Sequence, residues 1–374
     1  MTVTLATLRH YAIARSLFAP GTLQAAVTRM GFVQADPIRS PARAQDLMLR
    51  HRVVGYRAGD LERRYARLDV EEDFFVNYGF MTRDAQALMH PRGKLGAWPS
   101  PGKRTAEAVL AFVRDRGRAH PRDVDGHFAH GAVRNYWGGS SSATTHALDH
   151  LHYRGLLRVA GRDAGIRLYA PRDSTPDRTT PPLDSAARRA RQDALVDLAV
   201  RLYAPLPAAT LAWLVARLRL AAPQWRPELR AVLARAKGRL GRARVDGVDW
   251  FWPAAEVPDA FSPEDDAGVP VRLLAPFDPI VWDRRRFEHF WGWPYRFEAY
   301  TPAAKRTRGY YAMPLLWRER MIGWGNVSVA GGRLHAAFGF VSARSPRDRA
   351  FSQGLEAELA AMQRFLGLGA APPV

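Results

Sequence analysis

In the run GFVQADPIRS, residues 31–40, an amide and a carboxylate stand two positions apart. Alternate side chains of an extended strand share one face, so Gln34 and Asp36 would project together. Such a pair suits a hydrolysis. The carboxylate can take a proton from an attacking water and stabilise positive charge growing on a nearby carbon, while the amide holds the water. The same residues have a plain alternative: Asp-Pro commonly starts a turn, and Gln34 can be an ordinary surface residue. His146 and His150 are four apart on an expected helix and could share a metal ion. No metalloprotease-type carboxylate accompanies them, so a phosphate contact or a surface position fits better, and no metal or cofactor is expected. Other chemistries lack their residues. The chain contains no Cys, which excludes disulfides, thiolate zinc sites and iron–sulfur clusters. It has no phosphate loop, dinucleotide fingerprint or Gly-x-Ser-x-Gly elbow. No Lys stands beside Gln34 to form a Schiff base.

The charge balance points to a partner. Lys and Arg total 55 against 36 Asp and Glu, a formal net charge of +19 over 374 residues, and a field of that sign attracts polyanions. Nearly all the cations are Arg. A GC-rich coding bias would favour Arg over Lys, but it explains the surplus over acids less well. Duplex DNA is the expected partner; RNA is an alternative that rests on charge alone. There is no apolar run of about 18 residues, no basic amphipathic helix with a broad aromatic face and no signal-peptide pattern at the N-terminus. The expectation is therefore a cytoplasmic, nucleoid-associated monomer with no membrane partner.

The elements that must position these residues read as four modules: 1–95, 103–173, 185–255 and 266–374. The first opens with a helix carrying Leu5, Leu8 and Ala12 on one face, broken at Pro20-Gly21. A second helix, 22–30, stops at Gly31 and is followed by an extended piece, 32–38, and helical spacing over 42–50. After the Gly/Pro-rich connector GKLGAWPSPG, a helix is expected over 104–116, and another N-capped by Ser140–Ser142 and ended by Gly155. The segment LLRVAGRDAGIRLYAP then reads as a hairpin, and helices followed by a hairpin are the order of a winged helix. Past the polar linker PRDSTPDRTTPP the order recurs: helices at 186–203, 208–219 and 227–237, then a hairpin turning at Asp246-Gly247. From about 269 several short alternating segments, among them YRFEAY, suggest a small β-barrel closed by a helix over 346–365. The fold class is thus α+β: tandem winged helix-turn-helix domains, three in number, followed by a C-terminal β-barrel-like domain. A generic α+β protein is the alternative on pattern alone.

Three separated stretches, GFVQADPIRSPARAQDLMLRHR (31–52), YWGGSSSATTHALDHLHYRGLLRVAGRDAGIRLY (136–169) and LLAPFDPIVWDRRRFEHFWGWPYRFEAYTPAAKRTRGYYAMPLL (273–316), resemble the YcaQ/AlkZ-type DNA glycosylases. The resemblance implies three winged helices around a concave basic surface with a C-terminal β-barrel. It places Gln34 and Asp36 on the family's catalytic Gln-x-Asp positions. An N-glycosidic bond breaks through an oxocarbenium-like sugar, so Asp36 would stabilise that charge and activate the water that Gln34 holds. A cationic N7- or N3-alkylated purine needs no strong general acid to leave. The implied activity is that of a monofunctional DNA glycosylase on alkylated purines, interstrand crosslinks included. Two departures stand out: Asn77-Tyr78-Gly79-Phe80-Met81 where relatives have a Trp-Gly-His-Glu type stretch, and Gly323-Trp324-Gly325-Asn326 where they have Gly-Arg-x-Asp. They leave open a non-catalytic DNA-binding protein, either a regulator or a lesion sensor.

Arg43 and Arg52 match family Arg positions that would grip phosphates, or they pair with acids such as Asp46. Arg158, Arg162 and Arg167 would lie along phosphates from the hairpin wing. Lys305, Arg306 and Arg308 form a basic tip before GYYAMPLL that can enter a groove or remain a solvated turn. Asp278 and Asp283 are expected to hold a turn and pair with Arg284, and Glu298 to be structural. A shallow site that does not flip the base would show few aromatic side chains near Gln34, for which Phe32, Tyr78 and Phe80 are the contrary candidates.

Overall fold

The computed structural model describes residues 3–93, 100–128, 132–134, 140–172, 184–261 and 270–369. The chain forms two compact units of mixed α and β structure. One comprises Met1–Asp60, Asp197–Trp213 and Arg235–Val374, the other Leu61–Val196 and Leu214–Ala234.

In the first unit the helix Leu5–Ser16 starts at a capping box made by Thr4 and Thr7. The helix Leu23–Met30 is N-capped by Thr22 and ends at Gly31 with φ +72°. A side chain at 31 would fall on Leu198, so glycine is needed there both for its backbone and for the close approach. The strand Phe32–Gln34 follows, then the helix Ala44–Leu49, buried along its whole length. The hairpin Gly241–Val245 with Val248–Trp252 turns through Asp246 and Gly247, both at positive φ, which is the two-residue geometry that matches strand twist.

The C-terminal sheet differs from the barrel expected. Its four antiparallel strands lie in the order Arg272–Leu273, Met313–Trp317, Arg320–Ala330 and Arg333–Phe340, so the described sheet is open. YRFEAY, expected as a strand, is irregular. Its Glu298 accepts the backbone N–H groups of Thr307, Arg308 and Gly309, closing a loop with bonds that a further strand would have given to a ladder. Beneath it Leu274, Ile280, Val281, Phe287, Trp293, Tyr295, Leu316 and Met321 form the core. The terminal helix Arg349–Leu366 is capped by Asp348, three residues later than its pattern suggested at the N-terminal end.

Two guanidinium groups tie this unit together from inside. Arg52 is fully buried and meets both oxygens of Asp278, at 2.8 and 3.0 Å, and the carbonyls of Ser16 and Met48. Arg286 meets four carbonyls, those of Tyr203, Pro205, Pro279 and Ile280.

The second unit contains the hairpin Val70–Phe74 with Tyr78–Thr82, the helices Ser100–Arg116, Pro121–Phe128 and Ala143–Tyr153, the short strand pair Ala132–Arg134 with Ser140–Ser142, and the hairpin Leu157–Asp163 with Ile166–Pro171. Ser142 caps its helix through the Thr145 N–H. Helices leading into a hairpin are therefore present in the order expected. The Val70–Phe74 strand carries three consecutive buried acids, Glu71, Glu72 and Asp73. Burial alone would raise the Asp73 carboxyl, but Arg92 at 2.8 Å and the His90 bond outweigh it and hold the group well below the carboxylate range. Arg92 also donates to the carbonyls of Ala221, Tyr153 and Phe74.

Candidate active site

The strand ends at Gln34, which is buried, and the chain then turns outward. Asp36 sits just beyond it, half-buried. The Asp-Pro turn is present: the Ile38 N–H donates to Asp36 Oδ1 at 2.9 Å. It engages only one carboxylate oxygen. The Asp36 N–H donates to Gln45 Oε1 at 3.4 Å, which ties the turn to the Ala44–Leu49 helix. Among the described residues no cation pairs with Asp36. Burial pushes its carboxyl above the ordinary value, and the Ile38 amide pulls it only part of the way back. A partly desolvated carboxylate without a counter-ion is a stronger proton acceptor than a solvated one, and its charge reaches further.

That charge is felt by two tyrosines from the other end of the unit. Desolvation first, and then Asp36, raises the phenol of Tyr300; the same two causes in the same order raise Tyr311 well above its ordinary value. Tyr300 is 79% exposed, whereas Tyr311 is 2% exposed. The Tyr311 hydroxyl has no hydrogen-bond partner among the described residues. Phe297 links the two rings, edge-on to each at 6.1 and 5.3 Å, and packs on Phe277 at 5.1 Å.

The loop that carries these tyrosines is fixed at several points. Glu298 accepts from the Thr307 hydroxyl as well as from the three backbone amides, and those four bonds hold its carboxyl below its ordinary value although burial opposes them. The Tyr295 hydroxyl donates to the Ala312 carbonyl at 2.6 Å. Asn326 Nδ2 donates to the Arg308 carbonyl at 2.7 Å, and the Arg308 guanidinium lies 5.5 Å from the ring centres of both Trp293 and Trp324. Gly309, at φ +121°, leaves room for the Asn326 side chain that any Cβ would strike. Trp324 and Asn326, from the Gly323–Asn326 stretch, therefore brace this loop.

The basic residues fall into two groups. Lys305 is exposed on the short 3₁₀ turn Ala303–Lys305. Beside it Arg306 donates to the Thr301 carbonyl at 2.8 Å and stacks on Tyr310 at 5.0 Å. Arg43, half-buried, occupies the N-cap position of the Ala44–Leu49 helix. By contrast, Arg52 is the interior clamp on Asp278 and cannot grip a phosphate. In the second unit Arg158 reaches Glu71 at 2.9 Å and Arg162 reaches Glu72 at 2.6 Å, so these hairpin cations serve the buried acids. Arg167 pairs with Asp149 at 3.0 Å. Arg308 is held by the Pro294 carbonyl and the tryptophans. Arg284 donates to the carbonyls of Val281 and Pro276 rather than to Asp278 or Asp283, both of which cap helices. His146 and His150 contact each other at 4.7 Å between ring centres, and no group of three or more metal-capable side chains forms among the described residues.

Sequence reasoning missed Tyr300 and Tyr311. The aromatics it weighed are elsewhere: Phe32 and Phe80 are buried core, and Tyr78 donates to Glu72 at 2.9 Å. The signal was inside the 273–316 stretch, but nothing local ties those rings to Asp36.

The family comparison identifies a class of DNA-repair enzyme. A family model described as DNA glycosylase AlkZ-like matches residues 27–365, and the chain belongs to this family of DNA glycosylases. Among solved structures, the Streptomyces sahachiroi DNA glycosylase AlkZ is similar, with a TM-score of 0.63 over 100% of this chain and 99% of that one at 14% identity. At that identity the likeness speaks for the fold. No helix among the described residues is long and apolar enough to cross a membrane.

Proposed function

We propose that this chain is a monofunctional glycosylase that hydrolyses the N-glycosidic bond of cationic N7- or N3-alkylated purines in duplex DNA, including crosslinked ones. The observation that carries the reading is Asp36: a half-buried carboxylate with a raised affinity for protons, one oxygen held by Ile38, and no cation paired with it among the described residues. As the C1′–N bond stretches, the sugar gains positive charge that this carboxylate stabilises. The electron pair of the bond goes to the purine, neutralising its ring. Water adds to C1′ and one of its protons passes to Asp36, with Gln34 holding the water. Helices leading into hairpins are read as winged helices, with 103–173 and 185–255 two of the modules that lie on DNA. Arg43, Lys305 and Arg306 are the cations of the first unit proposed to meet phosphates.

The test is release of base from a duplex carrying one 7-methylguanine. Wild type should release it, Asp36→Asn should bind the duplex and release none, and borohydride should trap no covalent adduct. Tight, salt-sensitive binding without release from methylated or crosslinked duplex would instead identify a lesion sensor or regulator.

A further inference from the structure

Tyr300 holds a large ring out in water. At 79% it is the most exposed aromatic side chain among the described residues, although such a ring contributes most when it is covered. The loop beneath it is fixed. The ring rests edge-on against Phe297, which packs in turn on Phe277 and Tyr311. The Thr301 N–H donates to the Glu298 carbonyl at 2.9 Å, and the Glu298 carboxylate takes the amides of Thr307, Arg308 and Gly309. From the other limb of the loop Arg306 donates to the Thr301 carbonyl at 2.8 Å. That bond brings a guanidinium to the residue next to Tyr300. The same group lies 5.0 Å from the ring centre of Tyr310, which is exposed too. Lys305, one position before Arg306, is also exposed.

An exposed ring on a braced loop, with two cations beside it, matches what a nucleic acid strand presents: flat base faces flanked by phosphates. Resting on the reading that Lys305 and Arg306 meet phosphates, we infer that Tyr300 is a wedge. Its ring enters the base stack of the bound duplex and stacks on a base, while Lys305 and Arg306 hold the adjoining phosphates. A side chain inserted in this way unstacks one step and bends the duplex. The bracing of the loop means that little freedom is lost when the ring goes in. The contact reads no sequence, because every base has a π face. It favours a step that is already loosened, where a mismatched or damaged pair lowers the cost of opening the stack.

The test is the affinity of the full chain for a duplex carrying one mismatched pair, which needs no release of base. Tyr300→Ala is expected to raise the Kd roughly 5- to 100-fold. The slope of log Kd against log salt and the Tm should both stay at wild-type values, and Tyr300→Phe and Tyr300→Trp should bind as wild type does. Wild-type affinity in Tyr300→Ala overturns the inference. So does a loss accompanied by a lower Tm, the mark of a packing role, and so does a Tyr300→Phe as weak as Tyr300→Ala, which assigns the contact to the hydroxyl. Lys305→Ala tests the underlying reading separately, because it should make the salt slope shallower by about one phosphate contact. An unchanged slope there refutes the phosphate contact and takes the wedge with it. A shallower slope beside wild-type affinity in Tyr300→Ala keeps the phosphate contact and refutes the wedge alone.

Discussion

Replacing Arg52 with methionine separates the phosphate-binding role its sequence position suggested from the structural role its surroundings require. The guanidinium is inaccessible to solvent, as is its partner carboxylate. The substitution strips Asp278 of two charge-assisted bonds, at 2.8 and 3.0 Å, leaving only the Ile280 amide at 3.2 Å on that side chain. It also removes the donors to the Ser16 and Met48 carbonyls. Breaking a buried pair from one side leaves an uncompensated charge and costs about 3–5 kcal/mol. Methionine fills much of the space, so a cavity adds little. Urea unfolding followed by tryptophan fluorescence should show that loss. Asp278→Asn in the Arg52→Met background should recover roughly 1–3 kcal/mol of it by removing the stranded charge. Below the unfolding range, affinity for undamaged duplex and its salt dependence should match wild type. Unchanged stability together with a salt slope shallower by about one phosphate contact would place the guanidinium on DNA and refute the buried clamp.

Three further outcomes follow from the site. Because burial raises the Asp36 carboxyl, release should fall with decreasing pH from a higher point than for an ordinary aspartate, and a rate–pH profile reads this directly. In stability the sign is set by the same shift: the folded state holds the proton more tightly, so the contribution of Asp36 is greatest below its unfolded pKa and is lost as pH rises through the folded value. Asp36→Asn should therefore match or exceed the wild-type Tm at neutral pH. Glu298 has the opposite sign, lowered by its four bonds, so its contribution is present at neutral pH and lost as pH falls through the folded value. Glu298→Gln should loosen the loop it closes, and amide exchange of Thr307, Arg308 and Gly309 should speed up roughly tenfold while exchange in the Leu5–Ser16 helix stays unchanged.

Much of the fold was legible because its signals are local. Thr22 and Gly31 bound a helix within a few residues of themselves, Ser142 caps one through an amide three positions away, and Asp246-Gly247 encloses a hairpin of two residues. What failed depended on partners far along the chain. Arg52 and Asp278 are 226 positions apart, so a buried pair was indistinguishable from two surface charges. YRFEAY has the alternation of a strand, yet Glu298 takes the backbone amides nine to eleven positions ahead and holds the segment as a loop. The acids of Val70–Phe74 were overlooked, and with them the reason Arg158 and Arg162 point inward. Gln34 and Asp36 were visible as a pair. The two tyrosines whose phenols burial and then the Asp36 charge raise were not, since they lie more than 250 positions further along the chain.

The interior arginines also divide the Arg content of the chain into two kinds that mutation would treat differently. On the surface, a drift in coding bias can exchange Arg for Lys with little effect, since either supplies a solvated positive charge. At Arg286, where four carbonyls converge on one planar group, and at Arg92, where three carbonyls and a carboxylate do, an ammonium has too few donors and too short a span. In a chain without Cys these groups are its long-range fasteners, fixed by geometry and indifferent to redox state. Arginines retained by relatives from AT-rich genomes should therefore mark the fasteners, and those exchanged for lysine should mark the field that faces DNA.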